Sequence, residues 1–296
     1  MPELPEVEVN RQGLIPHVVN KEIAAIRTGS KNLRLPIPRN ELQRYVKGSR
    51  ITAIGRRAKY LVFFLEKAAM IIHLGMSGKL GIFAAGSPPA LHDHLIFQLQ
   101  DGMEMRFNDA RRFGFVTIHT PIEIQQQNPF VKLGPEPLAL PRLKEIQSEA
   151  LLQWYNTFTE SHHRLTPAYF KNRAGTRLQP IKNFLMDSHV VAGIGNIYAS
   201  EILFTASILP TTPIGSIAES GWQRIHTAII NILSQAVASG GTTIRDFISS
   251  SGQPGYFQLE LKAYGRDGTP CTTCRRPIVK SIIAGRATYF CPHCQH

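Results

Sequence analysis

The chain has 296 residues, more than one ordinary hydrophobic core holds, which predicts two domains and room for a small third one. Its 33 Lys and Arg residues outnumber 21 Asp and Glu residues, and the formal charge of +12 favours a polyanionic partner such as nucleic acid over an anionic membrane surface. The sequence has no apolar run near the roughly 20 residues that span a bilayer, and its acidic N-terminus is unlike a signal peptide, which disfavours a membrane or secreted protein and favours a reducing cytosol.

The N-terminal sequence Met1-Pro-Glu-Leu-Pro-Glu-Val-Glu contains a candidate nucleophile. If Met1 is removed, as is usual before a small residue, the nitrogen of Pro2 becomes a free secondary amine. Such α-amino groups titrate near pH 8, roughly two units below lysine, so a useful fraction can attack carbon at neutral pH. Glu3 supplies a carboxyl group beside that amine. From these residues alone, a proline in a disordered N-terminus is the alternative.

A helix is expected to begin near Pro5, which suits a first helical turn, and to close at residues 13–16. Between residues 20 and 120 the pattern is that of short strands separated by turns, and Asp101-Gly102 predicts a two-residue hairpin turn. This pattern predicts an antiparallel β-sandwich or barrel. The predicted strands are Tyr60–Leu65, Ala69–Leu74, His94–Leu99, Met103–Phe107 and Phe115–His119.

Basic residues are expected at the turns of this β domain, namely Arg56, Arg57, Lys59, Arg111 and Arg112. A solvated surface is the ordinary explanation of such a cluster. Here, however, Met76 and Phe113 stand beside the cations on glycine-flanked loops. Because proteins insert such apolar side chains between bases to hold a stack open, the pattern favours a site that enters DNA.

Residues 121–141 contain several prolines and three consecutive glutamines, which predicts an interdomain linker. Helices are expected to begin at Thr166-Pro167, near Pro180 and after a glycine-rich turn that ends in Asn196. A helix N-terminus with free backbone amides suits a phosphate group, although glycines at helix junctions are common without any function. Residues 249–257 are small and polar, which predicts a mobile loop.

All four cysteines lie near the C-terminus, at Cys271, Cys274, Cys291 and Cys294. Two Cys-x-x-Cys pairs separated by sixteen residues provide four thiolates at the spacing of a closed, tetrahedral site for one structural zinc ion. Disulfides are disfavoured by a reducing compartment, and a redox pair is disfavoured because two copies meet at metal-binding spacing.

Seven motifs and the cysteines stand in a recognisable order: Met1-Pro-Glu-Leu-Pro-Glu-Val-Glu, Arg57-Ala-Lys-Tyr, His73-Leu-Gly-Met-Ser-Gly, Asp109-x-Arg-Arg-Phe-Gly, Leu185-Met-Asp, Gly195-Asn-Ile-Tyr-Ala-Ser-Glu and Gly240-Gly-Thr-Thr. Together they resemble the formamidopyrimidine-DNA glycosylase family from the first residue nearly to the last. The related endonuclease VIII is also similar, but Leu-Pro-Glu after Glu3 and the Arg-Arg-Phe-Gly loop favour the formamidopyrimidine branch.

The resemblance implies an α+β multidomain fold. It implies an antiparallel β-sandwich catalytic domain over 1–120, a linker over 121–141, a helical domain with a helix-two-turns-helix motif over 142–260, and a zinc-ribbon finger over 261–296. It also implies a monomer that acts on double-stranded DNA containing oxidised bases, in the cytoplasm, associated with the nucleoid and without a membrane.

The implied activity is that of a bifunctional glycosylase and AP lyase, which removes 8-oxoguanine and formamidopyrimidines after turning the nucleotide out of the duplex. By resemblance, Pro2 attacks the anomeric carbon of the sugar and Glu3 protonates the ring oxygen. The resulting imine permits β and δ eliminations that cut the strand. Lys59 would stabilise phosphate charge, and Arg286 would assist departure of the phosphate.

The resemblance also assigns DNA contacts. Met76, Arg111 and Phe113 would fill the space left by the extruded nucleotide. The residues expected to bind flanking phosphates are Lys59, His73, Asn196, Tyr264 and Arg286. His92 matches a DNA-contacting histidine, Glu6 would contact the damaged base or orient Pro2, and the loop that ends at Tyr256 would cover the extruded base.

The chain departs from the family pattern at two places. Ala110 stands where proline is expected, which leaves the wedge loop less restrained. The residues Thr176, Arg177 and Leu178 stand where a lysine cluster is expected, with Arg177 as the expected substitute contact. Two other functions stay open: an endonuclease VIII-like glycosylase for oxidised pyrimidines, and a non-catalytic zinc-ribbon DNA-binding protein.

Overall fold

The computed structural model describes residues 2–240 and 261–296, which fall into two compact units. The described part of the first unit comprises residues 2–131, 140–159 and 240, and that of the second comprises 132–139, 160–239 and 261–296. Among the helices of these described ranges, none is both long and apolar enough to cross a lipid bilayer.

The first unit begins with helix α1 (Leu4–Val18) and contains eight strands in its described residues. The strands are β1 (Ile23–Thr28), β2 (Ile51–Arg57), β3 (Tyr60–Leu65), β4 (Ala69–His73), β5 (Lys79–Ala84), β6 (Asp93–Leu99), β7 (Met103–Asn108) and β8 (Phe115–His119). Between β1 and β2 lie the short helix α2 (Arg39–Glu41) and a π-helical turn, Leu42–Val46.

These strands form two four-stranded antiparallel sheets, in the orders β1-β6-β7-β5 and β2-β3-β4-β8. Phe63 of the second sheet and Phe97 of the first belong to one core, and both side chains are fully buried. Because apolar side chains of both sheets share this core, the predicted β-sandwich is confirmed. A hairpin between β6 and β7 is confirmed, but its turn is wrong in length: residues 100–102 lie between the strands, not two residues. The Gly102 amide donates to the Leu99 carbonyl at 3.0 Å and Gly102 has φ +82°, as in a three-residue loop that ends in a left-handed glycine.

Strands β1, β2 and β5 lie outside the predicted set, and β2 corrects one prediction. Arg56 and Arg57 belong to this strand, not to a turn, and are only 1% and 3% exposed. The guanidinium of Arg56 is compensated by the carboxylate of Glu8, at 3.0 Å. Alternation of polar and apolar residues does not reveal such a strand, because a paired arginine is buried like an apolar side chain.

Helix α1 extends to Val18 and does not close at residues 13–16 as predicted, so Pro16 lies inside it. Leu14 and Val18 are completely buried. Burial of each such side chain is worth roughly 1.5–3 kcal/mol, which offsets the hydrogen bond that Pro16 cannot donate.

Two further helices of this part of the chain are α3 (Pro121–Gln126) and α4 (Glu149–Thr159). Helix α4 belongs to the first unit, and its Tyr155 packs edge-on against Phe64 of β3 with ring centroids 5.3 Å apart. This grouping differs from the predicted start of the helical domain at residue 142, because the aromatic face of α4 is buried on the β-sandwich. The four domain ranges as functional units stay a prediction.

The second unit contains helices α5 (Pro167–Ala174), α6 (Ile181–Met186), α7 (Asn196–Thr205) and α8 (Glu219–Ala238). Thr166 caps α5 as predicted, since its hydroxyl accepts a hydrogen bond from the Tyr169 amide at 3.0 Å. Trp222 of α8 is 1% exposed and stacks on Phe170 of α5 at 5.8 Å between ring centroids. A helical domain after the sandwich is therefore confirmed.

The C-terminal part of the second unit is a two-stranded antiparallel hairpin of β9 (Val279–Ile283) and β10 (Arg286–Phe290). Ala284 and Gly285 form its turn, with φ of 46° and 73°, as a tight two-residue hairpin turn requires. Arg286 follows this turn directly and is exposed.

Candidate active site and nucleic-acid interface

The N-terminal segment presents Pro2 directly before a helix start that is held by acidic side chains. Glu3 is the N-cap of α1 and is 1% exposed. Its backbone amide donates a hydrogen bond to Oε2 of Glu6 at 2.9 Å, which is half of a capping box. Glu6 therefore fixes the backbone that carries Pro2 and Glu3, and a carboxylate at this helix end is also favourable to the helix dipole.

A buried ion-pair network joins α1 to the turn that carries Lys59. Glu8 accepts hydrogen bonds from Nη2 of Arg11 at 2.7 Å and from Nε of Arg56 at 3.0 Å. Nη1 of Arg56 donates to the carbonyl of Ala58 at 3.1 Å. Burial by itself would raise the pKa of Glu8, but the hydrogen bonds and charges of the two arginines outweigh it and lower that pKa. Sequence reasoning missed this network, and the run of acids in the first eight residues is its only signal.

His73 lies next to this turn, because β3 and β4 pair Tyr60 with His73. Its Nδ1 accepts a hydrogen bond from the Gly75 amide at 3.0 Å, so in the neutral ring Nε2 carries the hydrogen. The ring stacks on Phe115 at 5.3 Å between centroids. Burial and then the nearby charges of Lys59 and Arg34 lower the pKa of His73 to about 4. His73 is thus a neutral N–H donor at physiological pH.

We expect the His73 ring to stay neutral, with its hydrogen on Nε2, until about pH 4. Because the unfolded histidine titrates at 6.5, the unfolded chain binds the proton more readily between these pH values. The stability contribution is therefore complete near pH 7 and is lost as the pH falls, by about 2 kcal/mol at pH 5. Nitrogen NMR of the ring as a function of pH measures the pKa, and His73→Gln assigns the signal. The same substitution should remove this contribution to the pH dependence of the free energy of unfolding measured in urea. A ring pKa near 6.5 would contradict the prediction.

Two loops of the first unit expose apolar side chains side by side. The Met76 loop (residues 74–78) and the Phe113 loop (residues 109–114) leave Met76 and Phe113 40% and 43% exposed. A Cβ on Gly75 would lie 2.3 Å from the Gly114 nitrogen, so the loops touch through their backbones. Exposed apolar side chains on such loops can enter a base stack.

Arg111 and Arg112 are both residues of the Phe113 loop, and its conformation orients them. The Arg111 guanidinium lies 4.9 Å from the centre of the Phe113 ring. Arg112 has φ of 55°, a left-handed conformation that non-glycine residues adopt mainly at constrained sites. His92 lies beside this loop, because its carbonyl accepts a hydrogen bond from the Asp109 amide at 3.0 Å.

The second unit brings Asn196 and Arg286 together. Nδ2 of Asn196 donates to the carbonyl of Ala287 at 3.0 Å, and Nζ of Lys182 donates to the same carbonyl at 3.1 Å. Ala287 is the residue after Arg286, so two helices hold the strand that presents this arginine. The buried Lys182 was not among the predicted site residues, and its position one residue into α6 gives no signal for this role.

Tyr264 is fixed by a buried acid of the same unit. The carboxylate of Glu201, in α7, accepts hydrogen bonds from three successive amides, those of Lys262, Ala263 and Tyr264, at 2.8–2.9 Å. Glu201 is 2% exposed. It thereby holds the segment that leads into the cysteine-rich hairpin, a role that its place in a helix does not predict.

Arg177 has partners within its own segment. Nε of Arg177 donates to the Ala174 carbonyl at 3.0 Å, Nη2 donates to the Arg173 carbonyl, and the guanidinium lies over the Phe184 ring. The side chain thus satisfies carbonyls at the end of α5. Tyr256 lies outside the described residues.

The sulfur atoms of Cys271, Cys274, Cys291 and Cys294 all lie within 4.8 Å of one another. Cys271 and Cys291 are buried, and the two others are partly exposed. Four thiols at such separations fit a closed zinc site, because Zn²⁺ accepts four thiolates in a tetrahedron. With all four positions taken by sulfur, the metal has a structural role.

Comparison with known proteins covers most of the chain. Residues 1–116 match the family model of the formamidopyrimidine-DNA glycosylase N-terminal domain, residues 159–248 its H2TH domain, and residues 268–296 the zinc finger found in FPG and IleRS. The zinc-finger match and the sulfur cluster establish one structural zinc ion as the cofactor.

Among curated proteins, a formamidopyrimidine-DNA glycosylase of Legionella pneumophila (strain Philadelphia 1) is 43% identical over 100% of this chain and 98% of its own. Among solved structures, a Lactococcus lactis FPG mutant bound to Fapy-dG-containing DNA superposes with a TM-score of 0.84 at 30% identity over 100% of both chains. The wild-type Lactococcus lactis Fpg bound to oxidized-pyrimidine-containing DNA superposes with a TM-score of 0.82 at 30% identity, also over 100% of both.

Proposed function

The chain belongs to the formamidopyrimidine-DNA glycosylase family, and on that premise we propose that Pro2 is its nucleophile and Glu3 its general acid. It is a base-excision repair DNA glycosylase that removes oxidised purines, and its family also has AP lyase activity. One observation supports the proposed roles: Pro2 directly precedes Glu3, which is the N-cap residue of α1 and is buried. A secondary amine beside a buried acid is the pair that the reaction needs.

In the first step, the lone pair of the Pro2 nitrogen forms a bond to C1′ of the nucleotide. The base leaves with the electron pair of its bond to C1′ and takes up the proton that the Pro2 nitrogen loses. Glu3 gives its proton to the ring oxygen, so the sugar opens and a positively charged iminium joins Pro2 to C1′. The iminium acidifies the hydrogen on C2′, and loss of that proton expels the 3′ phosphate. A second elimination, in which C4′ loses its proton, expels the 5′ phosphate, and water then hydrolyses the iminium and frees the Pro2 amine.

Charge near the reacting sugar comes from Lys59 and Arg286 in this proposal. Lys59 stabilises phosphate and disfavours protonation of the Pro2 amine by like-charge repulsion. Arg286 assists the second phosphate departure, which its exposed position after the hairpin turn supports. Glu6 orients Pro2 through its hydrogen bond to the amide of Glu3.

Phosphates beside the lesion are bound by His73, Asn196 and Tyr264. The Nε2–H of His73 is a donor that does not titrate near neutral pH, which supports a phosphate contact. Arg177 can contact DNA only if its guanidinium gives up its hydrogen bonds to the carbonyls of α5 and binds a phosphate in their place.

Met76, Arg111 and Phe113 fill the space that the extruded nucleotide leaves, with Arg111 facing the orphaned base. The exposure of both apolar side chains supports this. His92 contacts DNA from beside the Phe113 loop, and Tyr256 covers the extruded base. The zinc ion holds the C-terminal hairpin folded and takes no part in the reaction. We further propose that the enzyme is a monomer that acts on the nucleoid in the cytoplasm.

A borohydride trapping gel on a panel of duplex lesions tests the function. We expect a covalent complex and excision with 8-oxoguanine opposite cytosine and with formamidopyrimidine. Faster excision of thymine glycol than of 8-oxoguanine would favour the endonuclease VIII-like alternative, which the oxidized-pyrimidine complex of the Lactococcus relative makes a specific candidate. Binding without any trapped complex would favour the non-catalytic zinc-ribbon protein.

A further inference from the structure

We propose that Asp109 is a positioning residue that locks the Met76 loop to the Phe113 loop, so that base extrusion depends on a side chain buried beneath the DNA-contacting tips. This inference rests on the proposed function, because it takes Met76, Arg111 and Phe113 as the residues that enter the duplex. It assigns to Asp109 the control of where those residues stand relative to one another.

The carboxylate of Asp109 is bonded to both loops at once. The side chain is completely buried. Oδ1 accepts a hydrogen bond from the hydroxyl of Ser77, in the Met76 loop, at 2.6 Å. Oδ2 accepts one from the amide of Gly114, at the end of the Phe113 loop, at 2.8 Å, and Oδ1 also lies 3.3 Å from the amide of Arg111. Hydrogen bonds to a buried carboxylate are among the stronger ones in proteins.

The backbone of Asp109 is itself held from the side of β6. Its carbonyl accepts a hydrogen bond from Nε2 of the buried His94 at 3.0 Å and another from the amide of Arg112 at 3.2 Å. Its amide donates to the carbonyl of His92 at 3.0 Å. Asp109 is therefore held by the β-sandwich through its backbone, and its side chain is hydrogen-bonded to both loops.

Close backbone contact transmits this constraint between the loops. A Cβ on Gly114 would lie 2.7 Å from the His73 carbonyl and 3.1 Å from Oδ2 of Asp109, so no side chain fits between them. Residue 110 is alanine, and its φ lacks the restriction that a proline ring would impose. Without that proline, we infer that the hydrogen bonds from Arg111 and Gly114 to Asp109 fix the conformation of the Phe113 loop in this chain.

The two chemical tasks of the enzyme should respond differently to this residue. A damaged base in a duplex has to be unstacked, which the wedge residues assist. An abasic site in single-stranded DNA has no base to extrude, and its aldehyde reacts with Pro2 without a wedge. Loosening the loops should therefore slow excision from duplex DNA and spare strand cleavage at a single-stranded abasic site.

Asp109→Asn provides the test, because the amide nitrogen of asparagine cannot accept a hydrogen bond. In either orientation of the side chain, the amide of Gly114 or that of Arg111 loses its acceptor. We expect excision of 8-oxoguanine from duplex DNA to fall about tenfold or more, as expected for loss of a hydrogen bond to a charged group. Cleavage of a single-stranded abasic oligonucleotide should stay within about twofold. Fluorescence of 2-aminopurine placed next to the lesion should report slower unstacking.

Ser77→Ala removes the hydroxyl that links Asp109 to the Met76 loop, together with the hydrogen bond that this hydroxyl accepts from the Arg111 amide at 3.2 Å. It serves as the test if Asp109→Asn does not fold. It should show the same selective loss, and the losses of the two substitutions should be less than additive in the double variant, since both weaken one hydrogen-bond network. Asp101→Asn is the matched control: Asp101 also accepts a backbone amide, that of Met103 at 3.1 Å, in a turn of the same domain. It should leave both rates unchanged.

Equal loss of both activities in Asp109→Asn, or no loss in either variant, would overturn the inference. Failure of the proposed function has a different signature, because the wild-type enzyme itself would then neither excise a lesion nor form a trapped complex.

Discussion

Replacing Pro2 by leucine should abolish both the trapped complex and strand cleavage, with a loss of at least about 10³-fold in rate. A large second residue prevents removal of Met1, so the nitrogen of residue 2 stays an amide and has no nucleophilic lone pair. The amine of the retained Met1 would stand one residue farther from the sugar, and such a displacement removes the alignment on which intramolecular attack depends.

The measurement is borohydride trapping on 8-oxoguanine duplex and on abasic duplex, followed by mass spectrometry of the adduct peptide. Pro5→Ala is the control, because Pro5 also stands at the start of α1 but its nitrogen is never a free amine. That variant should still be trapped. An adduct on any other residue, or an active wild-type enzyme that retains Met1, would contradict the assignment of Pro2.

Glu3→Gln should slow base excision by roughly 10²–10⁴-fold, the usual range for loss of a general acid. The substitution keeps the shape of the side chain at the N-cap of α1 but removes the proton that the sugar ring oxygen would receive. Cleavage of DNA that already contains an abasic site should lose far less, because that sugar opens to the aldehyde in water and needs no such proton.

Both rates are measured in single turnover, with duplex 8-oxoguanine and with a duplex abasic site. Glu123→Gln is a suitable control, since Glu123 closes the capping box of α3 through the Thr120 amide and is not part of the proposed chemistry. Loss of excision below about tenfold, or equal loss of both activities, would show that Glu3 supports the helix start and not the reaction.

Several features of this protein are readable from the sequence because each is encoded within a short stretch. The four cysteines lie within 24 residues, from Cys271 to Cys294, and their spacing is sufficient to predict the sulfur cluster. The β3 and β8 strands have the predicted bounds because short runs of aromatic, aliphatic and β-branched residues between turns mark them locally. Thr166-Pro167 starts a helix for an equally local reason.

The tertiary structure decided what depends on residues far apart in the chain. Arg56 becomes a buried strand residue because Glu8, 48 positions earlier, neutralises it. Asp109 links the Phe113 loop to the Met76 loop because the hydroxyl of Ser77, 32 positions earlier, donates a hydrogen bond to its carboxylate. Neither partner is marked by its own neighbours, since a buried charge is favourable only when the fold supplies its counterpart. The amino-acid sequence thus specifies which chemical groups are present and which local elements carry them, but only folding brings distant groups such as Glu8 and Arg56 into contact.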